Sequence, residues 1–245
     1  MNNYKQVLTL LSGLQLNGMA ENVEHEINEA EAGKISYLNF FKSLLESELT
    51  YRRKRKLERN LSGAHFEVIK KLEDFTFKMV TGITKTDVAN LIDLRWLDNH
   101  ENLLFFGPPG VGKTHLAVSF GMKAIDVGYT VCFERMTGLV KLLKNREIQR
   151  SANFRINRIM KASLLIIDEV GYTPIERKEA NLFFNLVSEL YEKSSIIITS
   201  NKGFDSWAEI MGDQIMTVAL LDRLLHHAKV FNLDGGSFRL NGKEN

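Results

Sequence analysis

Two stretches of this chain combine residue types that suit phosphate chemistry. At 107–114 the sequence reads GPPGVGKT: Gly107, Pro108, Pro109, Gly110, Val111 and Gly112 lead into Lys113 and Thr114, with His115 next. This fits G-x-x-x-x-G-K-[ST], and it lies between an apolar strand candidate and an amphipathic helix candidate, where that pattern has physical meaning. The glycines let the backbone turn tightly, so that successive N–H groups and a helix N-terminus aim at phosphates. Lys113 is then expected to reach the terminal phosphates of a nucleotide, and Thr114 to ligate magnesium through its hydroxyl.

The second stretch, LLIIDEV at 164–170, ends an apolar run in two carboxylates, Asp168 and Glu169. A nucleotide-bound Mg2+ ion and a water beside the γ-phosphate supply what these side chains otherwise lack. Asp168 is expected to orient the metal shell and Glu169 to polarise the attacking water. A strand alternates its faces, so neighbours on it do different jobs, and the pair points to hydrolysis rather than storage. Read without the loop upstream, the same pair is a solvated strand end.

About 50 residues separate the two motifs, room for an inserted strand and two helices, which favours a sheet whose motif strands have another strand between them. Asn201, closing SIIITSN, is a candidate polar sensor for the lytic water; the competing reading is an Asn ending a strand in a turn. Arg223 is a candidate arginine acting on the γ-phosphate of a neighbouring subunit, against the reading of a solvated helix arginine beside Asp222. His226 and His227 are adjacent, project about 100° apart on a helix, and are not expected to chelate a metal jointly.

These residues need a parallel sheet wrapped by helices to position them. From about residue 85 short apolar runs alternate with amphipathic stretches. Strands are expected at 102–107, 130–135, 163–170, 195–201 and 229–234, with helices near 113–127, 137–160, 176–193 and 215–228. The first 80 residues show apolar residues at helical spacing, Val7, Leu10, Leu11 and Leu14, then Leu38, Phe41, Leu45 and Leu49, with one long helix expected from about Ser36 to Leu61. The fold class read from this pattern is α/β: a five-stranded P-loop NTPase domain over 81–245, preceded by a helical domain over 1–80. A single cysteine, Cys132, excludes an internal disulfide and points to a reducing compartment, the cytoplasm. No apolar run approaches the roughly 20 residues that cross a bilayer.

The net charge is only +2, but cations gather in two blocks. Arg52, Arg53, Lys54, Arg55, Lys56 and Arg59 face Glu58 alone within 51–60. Lys141, Lys144, Arg146, Arg150, Arg155, Arg158 and Lys161 face Glu147 alone within 141–161. Trp96, Trp207 and the phenylalanines of LEDFTF are expected in the core.

GPPGVGKTHLA, the run from LLIIDEVGYTP through ANLFF to SIIITSN, and ALLDRLLHH together closely resemble the IstB family of transposition helper ATPases, AAA+ proteins related to DnaC-type helicase loaders. The likeness covers nearly the whole chain. It implies an ATP- and Mg2+-dependent homo-oligomer on double-stranded DNA that recruits or stimulates a cognate transposase without cutting or joining strands itself. Lys113, Thr114, Asp168, Glu169, Asn201 and Arg223 then take the roles given above, with Arg223 acting in trans. The basic blocks, Lys161 apart, become candidate DNA contacts: Arg52 to Arg59, and Lys141, Lys144, Arg146, Arg150, Arg155 and Arg158. The nearest alternative is a replicative helicase loader, and a more distant one a small-molecule kinase. Many AAA+ proteins carry a helical lid with another arginine sensor after the last strand; about ten residues follow LDG here, and Arg239 in SFRL is the candidate among them.

Overall fold

The computed structural model describes residues 3–33 and 35–238. The chain divides into two compact units, Met1–Arg59 and Asn60–Asn245. This boundary falls earlier than the composition change near residue 80 suggests, because residues beyond 60 supply Ala64, Phe75 and Val80 to the core of the second unit.

The first unit is built from α1 (Asn3–Gly13), α2 (Asn17–Glu31) and most of α3 (Tyr37–Ala64). Its small core is Met19, Val23 and Leu44. Helix α2 has no side-chain cap of its own at Leu16. Glu48 of α3 does that work: its Oε2 accepts from the Gly18 and Met19 amides at 2.7 and 3.2 Å, and its Oε1 accepts from Arg52 Nε at 2.6 Å. The α2 N-terminus thereby gains both hydrogen-bond partners and a negative charge near its positive end.

Burial alone raises the Glu48 pKa, but hydrogen bonds from Arg52, Met19 and Gly18 outweigh it and leave the group below the ordinary glutamate range. A carboxylate depressed in the folded state stabilises at pH above its unfolded value, about 4.3. That contribution disappears as pH falls through the lower folded value. Helix loss in the first unit, followed by circular dichroism on acidification, is therefore expected to start at higher pH in Glu48→Gln than in the parent. Coincident acid transitions would remove Glu48 from this role.

The second unit contains a two-stranded antiparallel ribbon of β1 (Val80–Thr81) and β7 (Asp234–Gly235), and the helices α4 (Lys85–Ile92) and α5 (Arg95–Asp98). Its centre is a parallel sheet of β2 (Asn102–Phe106), β3 (Val131–Arg135), β4 (Leu164–Val170), β5 (Ser195–Ser200) and β6 (Ala228–Asn232), in the order β3-β4-β5-β2-β6. The crossovers hold α6 (Lys113–Val127), α7 (Met136–Lys144), α8 (Arg150–Ile159), α9 (Arg177–Leu190), α10 (Trp207–Met211) and α11 (Gln214–Leu225). Strand β5 separates β2 from β4, as the motif spacing implied.

Both faces of the sheet are covered, which is why the inner strands read as nearly continuous apolar runs rather than alternating ones. Leu104, Phe106, Leu165, Ile167, Ile196 and Ile198 pack on one side with α7 to α11. Leu103, Phe105, Leu164, Ile166 and Ile197 pack on the other with α4, α5 and α6. Trp96 and Trp207 are both buried, as expected of core residues. Among the described residues no helix is long and apolar enough to cross a membrane.

Candidate functional site

In a parallel sheet of this order, the carboxyl ends of β2, β4 and β5 lie side by side. A crevice at such strand ends is where open α/β sheets bind ligands. Here a cavity of about 660 Å³ opens there, walled by the glycine loop after β2, by Asp168 and Glu169 of β4, and by Thr199, Ser200 and Asn201 at the end of β5.

The loop leaves β2 at Gly107 and enters α6 through Gly112, the residue before Lys113. Gly107 has φ +141°, and a Cβ there would lie 2.0 Å from Leu233 O; Gly112 has φ +97°, and a Cβ would lie 2.6 Å from the Phe75 ring. Neither position admits a side chain, so the cradle is bare backbone facing the start of a 15-residue helix. Lys113 is buried, and its Nζ donates to the carbonyls of Gly107 and Pro108 at 2.7 and 2.8 Å. Thr114 Oγ1 donates to Asp168 Oδ1 at 2.8 Å, which joins the two sequence motifs directly.

Asp168 is buried, whereas the Glu169 side chain is 42% exposed. The cause is a register irregularity between Ile167 and Val170 against β5, where Glu169 takes φ +61°. Bulges of this kind re-aim a side chain beside active sites. Thr199 holds the irregularity in place: its Oγ1 accepts from the Glu169 amide at 3.1 Å and donates to Asp168 Oδ1. Asn201 Oδ1 is buried in the cavity wall and has no hydrogen-bond partner among the described residues.

A triphosphate and a hard divalent cation fit this arrangement. The bare cradle leaves room for phosphate oxygens, Thr114 and Asp168 offer the all-oxygen donors that Mg2+ takes, and the orphaned Asn201 oxygen calls for a donor such as water.

Several parts of the wall escaped the sequence reading. Thr199 is one; its signal was its place two residues before Asn201 on the strand beside β4. The segment after α3 is another: Glu67, Val68, Ile69, Lys70, Asp74, Phe75 and Thr76 line the cavity. It is tied to α6 by His115 Nε2 against Lys71 O at 2.7 Å and by Ser119 Oγ donating to Lys70 O at 3.2 Å. Arg135, at the end of β3, pairs with Glu67 and lies 3.7 Å from Glu169 Oε2.

Arg223 is not on the wall of this cavity. Its Nη1 donates to Ala219 O at 3.4 Å and its guanidinium lies 4.6 Å from the centre of the Phe184 ring. Arg239 lies outside the described residues.

The cations of the basic blocks differ in burial and in their partners. Arg155 is 6% exposed and cannot reach DNA: its donors go to Glu134 Oε1 at 2.5 Å and to the carbonyls of Gly63, Ala64 and Phe133 at 2.7, 3.2 and 3.0 Å. Helical periodicity turns this one cation inward, where it satisfies the last carbonyls of α3. Lys144 is paired with Glu179 at 2.8 Å, Arg55 with Glu58 at 3.3 Å, and Arg52 with Glu48. Arg158 is half-buried, while Lys141 and Arg150 are exposed on α7 and α8 with the half-buried Arg146 between them. Arg53, Lys54, Lys56 and Arg59 are exposed on α3.

Thr199→Val keeps the volume and removes both hydrogen bonds. The variant is expected to fold normally while ATP turnover falls about 10- to 100-fold, the usual loss when a partner of a metal-site ligand is removed. Steady-state hydrolysis checks this, and unchanged turnover would free Thr199 of any part in the site.

A protein of Pseudomonas aeruginosa named as the ATP-binding protein of insertion sequence IS21 is 40% identical over 234 residues, which cover 96% of this chain and 88% of that protein. Among solved structures, that of DnaI superposes with a TM-score of 0.55 at 16% identity, covering 69% of this chain and 89% of that one. AMPPCP-bound DnaA from Aquifex aeolicus superposes with a TM-score of 0.51 at 21% identity, covering 66% and 49%. These two share the fold of this chain. The model of the IstB-like ATP binding protein family matches residues 9–245, and the chain belongs to that family.

Proposed function

We propose that this protein hydrolyses MgATP in the cavity and, as an oligomer on double-stranded DNA, serves as the helper of an insertion-sequence transposase. The observation that carries the reading is the meeting of Thr114 with Asp168 across a bare glycine cradle, with Glu169 displaced from its strand beside them, in a chain of this family. Amides of the loop hold the β- and γ-phosphates, and the Lys113 ammonium exchanges its carbonyl partners for phosphate oxygens. Thr114 and Asp168 hold the metal, Thr114 through its hydroxyl. Magnesium, when bound, neutralises charge on the phosphate oxygens. Glu169 takes the proton of the attacking water as its oxygen bonds to the γ-phosphorus and the bond to ADP breaks. Asn201 Oδ1 accepts the water's other hydrogen and keeps it in line.

The place of Arg223 outside its own cavity supports a role for it in trans, at the γ-phosphate held by a neighbouring subunit. Lys141, Arg146 and Arg150, together with Arg53, Lys54 and Lys56, are the cations best placed for duplex phosphates. Binding of that kind tolerates sequence and weakens steeply with salt.

The test is sedimentation and electron microscopy of the protein with duplex DNA, ATP and magnesium, with and without the transposase of its own element. ATP-dependent assembly on DNA that captures the transposase is expected. A monomer that turns over ATP at full rate and ignores DNA would defeat the reading. Charge reversal at Lys141, Arg146 and Arg150 is expected to lower DNA affinity and flatten its salt dependence between about 50 and 200 mM. Identical isotherms would clear those residues.

A further inference from the structure

Away from the cavity, three side chains with metal-binding chemistry converge where α9 ends and α11 passes into β6. Glu192, His226 and His227 each turn one ligand atom to a point within 4.8 Å of the other two. The expectation that neighbouring histidines diverge holds only inside a continuous helix. Helix α11 stops at Leu225, His226 is its C-cap, and Ala228 already belongs to β6. The two imidazoles lie with ring centres 4.1 Å apart.

Two further features favour a ligand role. The Tyr191 hydroxyl is hydrogen-bonded to His226 Nδ1 at 2.6 Å, which restrains that ring beside Glu192. Outer partners of metal-bound histidines act in this way. Glu192 takes φ +56°, a left-handed conformation that non-glycine residues rarely adopt, and its carboxylate sits 4.0 Å from His227 Nε2.

We propose that Glu192, His226 and His227 form a binding site for a late first-row divalent cation of the Zn2+, Co2+ or Ni2+ type. Two imidazole nitrogens and one carboxylate oxygen suit such ions, whereas Mg2+ takes oxygen ligands, so this site is chemically distinct from the phosphate cleft. Bonds of about 2 Å to a tetrahedral centre place ligand atoms roughly 3.3 Å apart, within reach of small rotations of three exposed side chains. The fourth position faces solvent and is open to water. The guanidinium of Arg223 lines the same small pocket but is turned onto Phe184 and Ala219 O. A bound ion ties the end of α9 to the segment that follows Arg223.

The test uses the full chain, stripped by chelator, without nucleotide or magnesium, titrated with Co2+. One equivalent is expected to give the visible absorption of four- or five-coordinate Co2+, displaced by Zn2+ and not by excess Mg2+. His227→Ala and Glu192→Gln are each expected to weaken binding at least tenfold. Tyr191→Phe, which touches no metal, weakens it about tenfold or more, and His25→Ala, outside the cluster, leaves it unchanged. Circular dichroism confirms that each variant is folded. Absence of a stoichiometric Co2+ spectrum, or a spectrum that survives in both His227→Ala and Glu192→Gln, overturns the site.

Discussion

Glu169→Gln is expected to bind ATP with unchanged affinity and to hydrolyse it about 10²- to 10⁴-fold more slowly, the range a positioned general base contributes. Glutamine has the same length and shape, so the left-handed turn at Glu169 and the Thr199 anchor on its amide are both kept. The amide lacks a site basic enough to take the proton of the attacking water. The neighbouring Asp168 cannot substitute, because it is buried and its Oδ1 already accepts from Thr114 and Thr199. Lys113→Ala should behave oppositely: in the proposed mechanism its ammonium meets the nucleotide itself, so affinity is lost first and any ATP-dependent assembly with it. Single-turnover hydrolysis alongside titration with a fluorescent ATP analogue separates the two variants. Near-normal turnover in Glu169→Gln would take that carboxylate out of the chemistry.

The contrast between these residues also shows what the sequence could carry. The phosphate loop and the three inner strands are local signals: a glycine pattern fixed by backbone geometry, and runs of Leu, Ile and Phe long enough only for strands buried on both faces. That another strand lies between the two motif strands followed from the chain length between the motifs, whereas its identity as β5 and the rest of the order did not. What stayed hidden depends on pairings between distant residues. The bulge that separates Asp168 from Glu169 is set by β5 and by Thr199, neither of which is visible from LLIIDEV itself. The wall formed by residues 67–76 depends on His115 and Ser119 receiving that segment on α6.

Periodicity has the same limit in the first unit. The stripe of Leu38, Phe41, Leu45 and Leu49 correctly announced a helix, yet all four are exposed, and the residues that turn into that unit are Leu44 and Glu48. A hydrophobic stripe gives the element, and the partner decides which face is used.

Arg155 is where a surface reading and a buried one predict opposite results. Its guanidinium and the Glu134 carboxylate are 7% and 14% exposed, and together with three backbone carbonyls they form a closed set of charge-assisted bonds. Arg155→Ala leaves the carboxylate and the Gly63 and Ala64 carbonyls without their donor inside the protein. Breaking a buried pair in this way costs about 3–5 kcal/mol. For a unit of this size each kcal/mol shifts Tm by roughly 2–4 °C, so a drop on the order of 10 °C is expected in a thermal melt. Replacing both partners together, Arg155→Met with Glu134→Leu, removes the stranded charge and should recover part of the loss. In the surviving folded fraction of Arg155→Ala at low temperature, the salt dependence of DNA binding should match the parent, because no phosphate contact was lost. An unchanged melting temperature with a shallower salt slope would return Arg155 to the DNA-facing set and undo its assignment to the core.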